Sequence, residues 1–238
     1  MIWLFASSGL TKLALAAGGA VLLSDPLNNA QTWVSGRSPD TPPLVTHLAS
    51  TANVDRISRL PAGGVIVDLE NWSMTPLSQR QKPVGAYRRA SELAKHHHQW
   101  LVATPATDLV RSVDPGYRDK IYPEFIQMQF AAHIAPYVSV YEIQAQGAER
   151  DPALYRSFVA DICKQARRTH PGITVLAGLS TNPGGRTVSP SVLERDITLT
   201  KGLVSGYWMN IPQAGMACPR CGQAHPAIAV RVLHAELK

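Results

Sequence analysis

Several absences narrow the chain before any feature is read. Only three cysteines occur in 238 residues, so the Cys-Pro-Arg-Cys-Gly knuckle at Cys218 and Cys221 has no second pair with which to build a zinc ribbon. No Gly-x-Ser-x-Gly occurs, and Cys163 falls inside a predicted helix, so neither a Ser nor a Cys nucleophile is supported. No Gly-x-Gly-x-x-Gly follows the first strand and no P-loop appears, so no nucleotide cofactor is expected. Only His47 stands near a predicted strand end, without a His-x-His beside it, and no metal site is expected there. A spanning helix wants about 20 continuous apolar residues. Residues 1–24 carry a single charge, Lys12, but are broken at Gly18-Gly19, so stable membrane insertion is not expected. The same segment lacks the positive start of a signal peptide. It reads as a helix followed by a buried strand, Gly19 to Leu23, closed by Ser24-Asp25-Pro26.

Charge is also sparse. Charged residues make up 17% of the chain and hydrophobic ones 45%, enough for a folded core. The net charge is +6, but the basic residues are scattered and no base-reading motif occurs, so nucleic acid is not an expected partner. For Cys218 and Cys221 two readings stand beside a reduced pair: a local disulfide, which suits an oxidising, extracellular compartment, or a partial metal set with His225.

What is present is regular alternation. Residues 1–43 form an apolar segment and a loop rich in Pro, Asn, Ser and Gly over 25–43; residues 44–238 carry the repeating pattern. Strands are expected at 43–50, 65–70, 100–104, 137–146, 173–179 and 202–211. Helices are expected at 53–60, 84–98, 123–135, 152–170, 190–200 and 227–237, the triple His96-His97-His98 being a solvated helix end. Strand and helix recur at roughly 35-residue spacing, the mark of βαβ units on a parallel sheet. The expected fold is α/β, a (β/α)8-type (TIM) barrel, complete or short of one unit at its N-terminal end.

One strand stands out. Gly63-Gly64-Val65-Ile66-Val67 runs into Asp68-Leu69-Glu70-Asn71-Trp72, a buried strand ending in two acids, an amide and an indole. Side chains alternate along a strand, so Asp68 and Glu70 share a face with Ile66. Burying unpaired charge is costly, so two carboxylates at a strand end point to a site. In a barrel the inward residues meet at one mouth. The same parity selects Glu142, Gln144 and Gln146 on the 137–146 strand and Trp208 and Asn210 on the last one; Asn182 follows the 173–179 strand, and Thr104 and Asp108 follow the 100–104 strand.

Carboxylates, amides and the indoles of Trp72 and Trp208 suit a sugar: amides and acids bond hydroxyls, and indoles stack on pyranose faces. The expected ligand is a carbohydrate. Glu70, Asp68 and Glu142 are the candidate catalytic groups, because glycoside hydrolysis needs one raised-pKa acid and one anion. Trp72, Gln144, Gln146, Asn182, Tyr207, Trp208 and Asn210 are the candidate sugar-binding groups. Two other readings stay open: a carbohydrate- or cell-wall-binding barrel without turnover, and a hydrogen-bonded plug without a ligand.

Asp68-Leu69-Glu70 at a strand end resembles the Asp-x-Glu close of the chitinase-type (family 18) glycosidase motif Asp-x-x-Asp-x-Asp-x-Glu. Ile66 and Gly63 stand where the two earlier acids would be. The resemblance implies Glu70 as the acid and Asp68 as its assistant, and Tyr207 is loosely similar to that family's late-strand tyrosine. Val67-Asp68-Leu69-Glu70-Asn71-Trp72, Met74-Thr75-Pro76 and Tyr207-Trp208-Met209-Asn210-Ile211-Pro212 together also look like glycosidase-like barrels of actinobacterial secreted proteins.

Overall fold

The computed structural model describes residues 1–17, 31–36, 45–61, 63–118, 120–215 and 218–236. Eight parallel strands close into a barrel in chain order. They are β1 (Ile2–Ala6), β2 (Gln31–Ser35), β3 (Val45–Thr51), β4 (Gly64–Val67), β5 (Trp100–Ala103), β6 (Val140–Ile143), β7 (Thr174–Ser180) and β8 (Gly206–Asn210). Helices stand between them: α1 (Ser7–Ala16), α2 (Leu77–Gln81), α3 (Pro83–His96), α4 (Val110–Val113), α5 (Ile121–Gln127), α6 (Phe130–Ile134), α7 (Pro152–Thr169), α8 (Pro190–Thr200) and α9 (Pro226–Glu236). The fold is thus an α/β barrel of the (β/α)8 kind. Four helices, α3, α7, α8 and α9, open on proline, whose fixed φ suits the first turn and whose missing N–H costs nothing there.

The N-terminal segment is corrected. It holds a strand and then a helix, β1 and α1, in place of the expected helix and strand; Gly19–Leu23 lies outside the described residues. The expected loop at 25–43 contains β2, whose Thr32, Trp33 and Val34 are all buried. A strand buried on both faces shows no alternation, which is why polar flanks concealed it. Among the described residues, no helix is long and apolar enough to cross a membrane.

The chain divides into two compact units. One comprises Leu48–Gln144 and Phe158–Leu176. In it β4 is the central strand, with all four residues buried. It pairs with β3 from Leu48↔Gly64 to Thr51↔Val67 and with β5 from Gly64↔Trp100 to Val67↔Ala103. Helix α3 is pinned over it: Tyr87 donates its hydroxyl proton to the Val67 carbonyl at 2.9 Å. The helix expected over 123–135 is broken in two at Gln129, which is left-handed with φ 53°.

The other unit comprises Met1–His47, Ala145–Ser157 and Ala177–Lys238. Here β1 runs parallel to β2 and to β8, with Ile2 opposite Gly206 and Trp3 opposite Tyr207. Trp3 stacks on Phe5 and lies 5.6 Å from the Tyr207 ring. Cys218 and Cys221 form a disulfide with Cα atoms 5.4 Å apart, inside the range such a bond requires.

Gly206 has no room for a side chain: a Cβ there would fall on the backbone of Ile2, the residue it pairs with. Gly206→Ala is therefore expected to destabilise the protein by about 1–3 kcal/mol, as overpacking does. Thermal unfolding should drop by about 2–4 °C per kcal/mol. Gly172→Ala, where nothing lies within 4 Å of the added carbon, is the control and should stay within about 0.5 kcal/mol.

Candidate functional site

The site grows from the C-terminal end of β4. The regular strand stops at Val67, shorter than expected, but the ladder runs on: Asp68 N–H bonds the Thr51 carbonyl, and Leu69 accepts from Ala106 N–H, both at 2.9 Å. These bonds hold Asp68 and Glu70 in the alternation that the strand begins. Two donors then grip one oxygen of Asp68. Thr104 Oγ1 and Gln144 Nε2 bond Asp68 Oδ1 at 2.8 and 2.9 Å. Gln144 also bonds the Thr104 carbonyl at 3.2 Å, so the acid, the hydroxyl and the amide form one closed set.

The next residues make a pinned turn. Thr75 Oγ1 accepts from Glu70 N–H at 3.2 Å and from Trp72 Nε1 at 2.8 Å. Asp108 Oδ1 accepts from Asn71 N–H at 3.0 Å, while Asn71 Oδ1 accepts from Ser112 Oγ at 2.7 Å and Arg80 Nη1 at 3.3 Å. The backbone that carries Glu70 and Trp72 is thus fixed on both sides. Sequence reasoning placed Thr104 and Asp108 after β5 without assigning them to the site; Thr75 and Arg80 it missed. Their signal is position alone, since each follows β4 or β5 at its C-terminal end.

Burial and mutual repulsion set the charges. Burial, with the charge of Asp108, lifts Asp68 to about 6 against the pull of its two hydrogen bonds. Glu70 is pushed up to about 8, first by burial and then by the charges of Asp68 and Asp108. Asp108 is raised by burial, opposed by the Asn71 N–H bond and by Arg111 and Arg80. Glu142 is fully buried, and burial together with Asp68 and Glu70 holds it well above the usual carboxylate range. Near neutral pH Asp68 is mainly an anion while Glu70 keeps its proton.

A cleft of about 600 Å³ opens beside Asp68; Glu70, Asp108 and Glu142 are not among the residues that line it. Its walls include Ser50 and Thr51 at the end of β3, Asn53 after it, Arg56 on the following 3-10 turn (Val54–Arg59), and Asp68, Trp72 and Met74 after β4. Asp68 and Trp72 therefore face one space. Glu142 does not reach solvent, and neither of its oxygens has a hydrogen-bond partner among the described residues.

Other expected sugar contacts are differently employed. Tyr207 is buried with its hydroxyl against α8, bonding the Ile197 carbonyl and the Thr200 hydroxyl; its register opposite Trp3 turns it to the helix side of β8. Asn182 is fully buried and donates to the Cys221 and Gln223 carbonyls, bracing the disulfide knuckle. Gln146 lies beyond β6, in a one-turn 3-10 helix, so strand parity does not extend to it. Trp208 is buried on β8, its indole nitrogen unpartnered among the described residues, and Asn210 is half-buried at the strand's end.

No family profile matches the chain. No curated protein matches it either. Among solved structures it is similar to a family 18 chitinase from Pseudoalteromonas aurantia, at 10% identity and a TM-score of 0.37, covering 69% of this chain and 65% of that one. It is also similar to a pyruvate carboxylase variant from Rhizobium etli, at 12% identity and a TM-score of 0.40, covering 97% of this chain and 22% of that one. The chain thus spans less than two thirds of either protein. At these TM-scores the likenesses carry no argument about chemistry.

Two outcomes follow from the electrostatics. Thr104→Val removes a hydrogen bond to the charged form of Asp68, so the Asp68 titration followed by carboxyl NMR should move further above about 6; a downward or absent shift contradicts the grip. Folded Glu70 holds its proton more tightly than the unfolded chain does. Its stabilising contribution is therefore complete below about 4.5 and lost as pH rises to about 8. Urea unfolding over that window should show wild-type stability falling more steeply than that of Glu70→Gln; parallel curves contradict it.

Proposed function

We propose that this chain is a glycoside hydrolase-like protein that acts on carbohydrate by carboxylate acid/base chemistry. The observation that carries the reading is the placement of Asp68 and Glu70 on alternate residues of one strand end, with Asp68 gripped by Thr104 and Gln144 at the cleft wall. The two alternate residues leave the same strand end, and one is an anion while the other keeps its proton near neutral pH. Glu70 is the general acid that protonates the leaving oxygen. Asp68, held by Thr104 and Gln144, stabilises the positive charge that develops on the sugar ring. Trp72, its indole N–H tied to Thr75, supplies a ring to the cleft wall for stacking on a pyranose face. The Asp-x-Glu resemblance agrees with this division of roles.

Glu142 takes a different part from the one expected. Sealed from solvent, it does not touch a sugar, and burial holds its carboxyl well above the usual carboxylate range. That same sealing favours a second reading, carbohydrate binding without turnover, because Glu142 then offers Glu70 no accessible carboxylate partner.

One experiment separates the two. In a screen of chromogenic glycosides, an active substrate should show a bell-shaped pH profile with limbs near about 6 and about 8, from Asp68 ionising and Glu70 losing its proton. Glu70→Gln should lower turnover by about 10²–10⁴-fold while leaving sugar affinity nearly unchanged. Wild-type turnover in Glu70→Gln removes Glu70 from the role of acid. Binding without any cleavage establishes the second reading.

A further inference from the structure

The cleft beside Asp68 holds one group that the acid/base chemistry does not use. Arg56 is exposed on the 3-10 turn after β3, and it is the one cationic residue among the described residues lining the cleft. Its guanidinium has no hydrogen-bond or ion-pair partner among the described residues. The neighbouring acid is committed elsewhere: Asp55 bonds Arg89 Nε at 2.8 Å and Gln79 Nε2 at 3.1 Å. Among the described residues lining the cleft the only carboxylate is Asp68, which is held by Thr104 and Gln144. The cleft therefore carries a positive group and a negative group that are not paired with each other.

The turn under Arg56 is built to stay put. Asn53 Oδ1 accepts from Asp55 N–H at 3.0 Å and caps it, and Thr51 Oγ1 bonds both the N–H and the carbonyl of Asn53. Gln79, reaching across from α2, accepts from Val54 N–H at 3.1 Å and donates to Asn53 Oδ1 at 2.9 Å. A free guanidinium on a fixed base is preorganised for an anion, and its planar fork matches a carboxylate in two bonds. At about 600 Å³ the cleft lies in the size range of small-ligand sites.

We infer that the cleft selects an acidic glycan, with Arg56 binding a sugar carboxylate while the glycosidic bond lies toward Asp68. This rests on the carbohydrate reading of the same site and adds the substrate class. A sugar carrying its negative charge beside Asp68 is repelled by that anion, so the two opposite charges also fix the direction in which the chain lies. Arg56 is a specificity residue and takes no part in bond cleavage.

The test is calorimetric titration of the full chain with an oligogalacturonate, a cello-oligosaccharide of equal length and a sulfated oligosaccharide of equal length. The wild type should bind the oligogalacturonate best, with an affinity that falls as salt is raised. Arg56→Gln should weaken that binding by about 10–100-fold, the range for a lost charged hydrogen-bond pair, and leave the neutral sugar unchanged. Arg56→Lys, which keeps the charge and loses the fork, should fall between. Arg59→Gln, an exposed arginine of the same turn, should behave as wild type. Circular dichroism checks that each variant is folded. Equal binding of neutral and acidic sugars, or an acidic preference that survives Arg56→Gln, overturns the inference and leaves the carbohydrate reading standing. Tighter binding of the sulfated sugar overturns the carboxylate and moves the assignment to sulfate. No binding of any of the three overturns the carbohydrate reading, and this inference with it.

Discussion

The grip on one oxygen of Asp68 is the constraint on which the site depends. A carboxylate held in a poorly solvated place costs several kcal/mol unless donors meet it. Thr104, just past β5, and Gln144, just past β6, supply those donors to the same atom. One buried charge therefore ties the ends of three successive strands in register. The charge also governs its neighbours. Because Asp68 stays ionised, Glu70 and Glu142 find it easier to keep their protons than to add a second negative charge nearby. The division of labour between an anion and an acid follows first from burial and then from the charges and hydrogen bonds around each side chain, since the two are chemically alike.

Much of the barrel was legible in the sequence, and for a definite reason. A parallel strand buried on both faces is a short apolar run, and β4, β5, β7 and β8 are all of that kind, flanked by prolines or glycines that punctuate them. The helices announced themselves by periodicity and by proline at the first turn. The failures have physical causes too. In residues 1–16 strand and helix are both short and mostly apolar, with Lys12 as the one charge, so their order left little trace in composition. The β2 strand is five residues long inside polar flanks. The break at Gln129 is made by a left-handed non-glycine residue, which no turn signal marks.

The site was legible where it depended on strand parity and illegible where it depended on loops. Alternate residues sharing a face placed Asp68, Glu70, Glu142 and Gln144 in one neighbourhood, where Gln144 bonds Asp68. The parity argument failed at Gln146, where the strand had ended. Tyr207, which came from the family resemblance and not from parity, occupies the face of β8 opposite Trp208, against α8. Asn182 looks like a ligand group in sequence, yet its amide is spent on the carbonyls of the knuckle. Arg56 and Thr75 matter through contacts made by irregular segments, and no periodicity reports those.

The seam between β1 and β8 has a consequence for how the protein is made. Ile2 lies against Gly206, so within this chain β1 waits for the distant β8 before both of its edges are paired. Its own sequence, Ile-Trp-Leu-Phe-Ala, is apolar and free of charge. During synthesis that strand has β2 for company on one edge and an open row of amides and carbonyls on the other. An unpaired apolar edge is a template for unwanted pairing with other chains, and contacts so distant in sequence form slowly. Translation thus leaves a long interval in which a chaperone that holds extended apolar segments has something definite to bind.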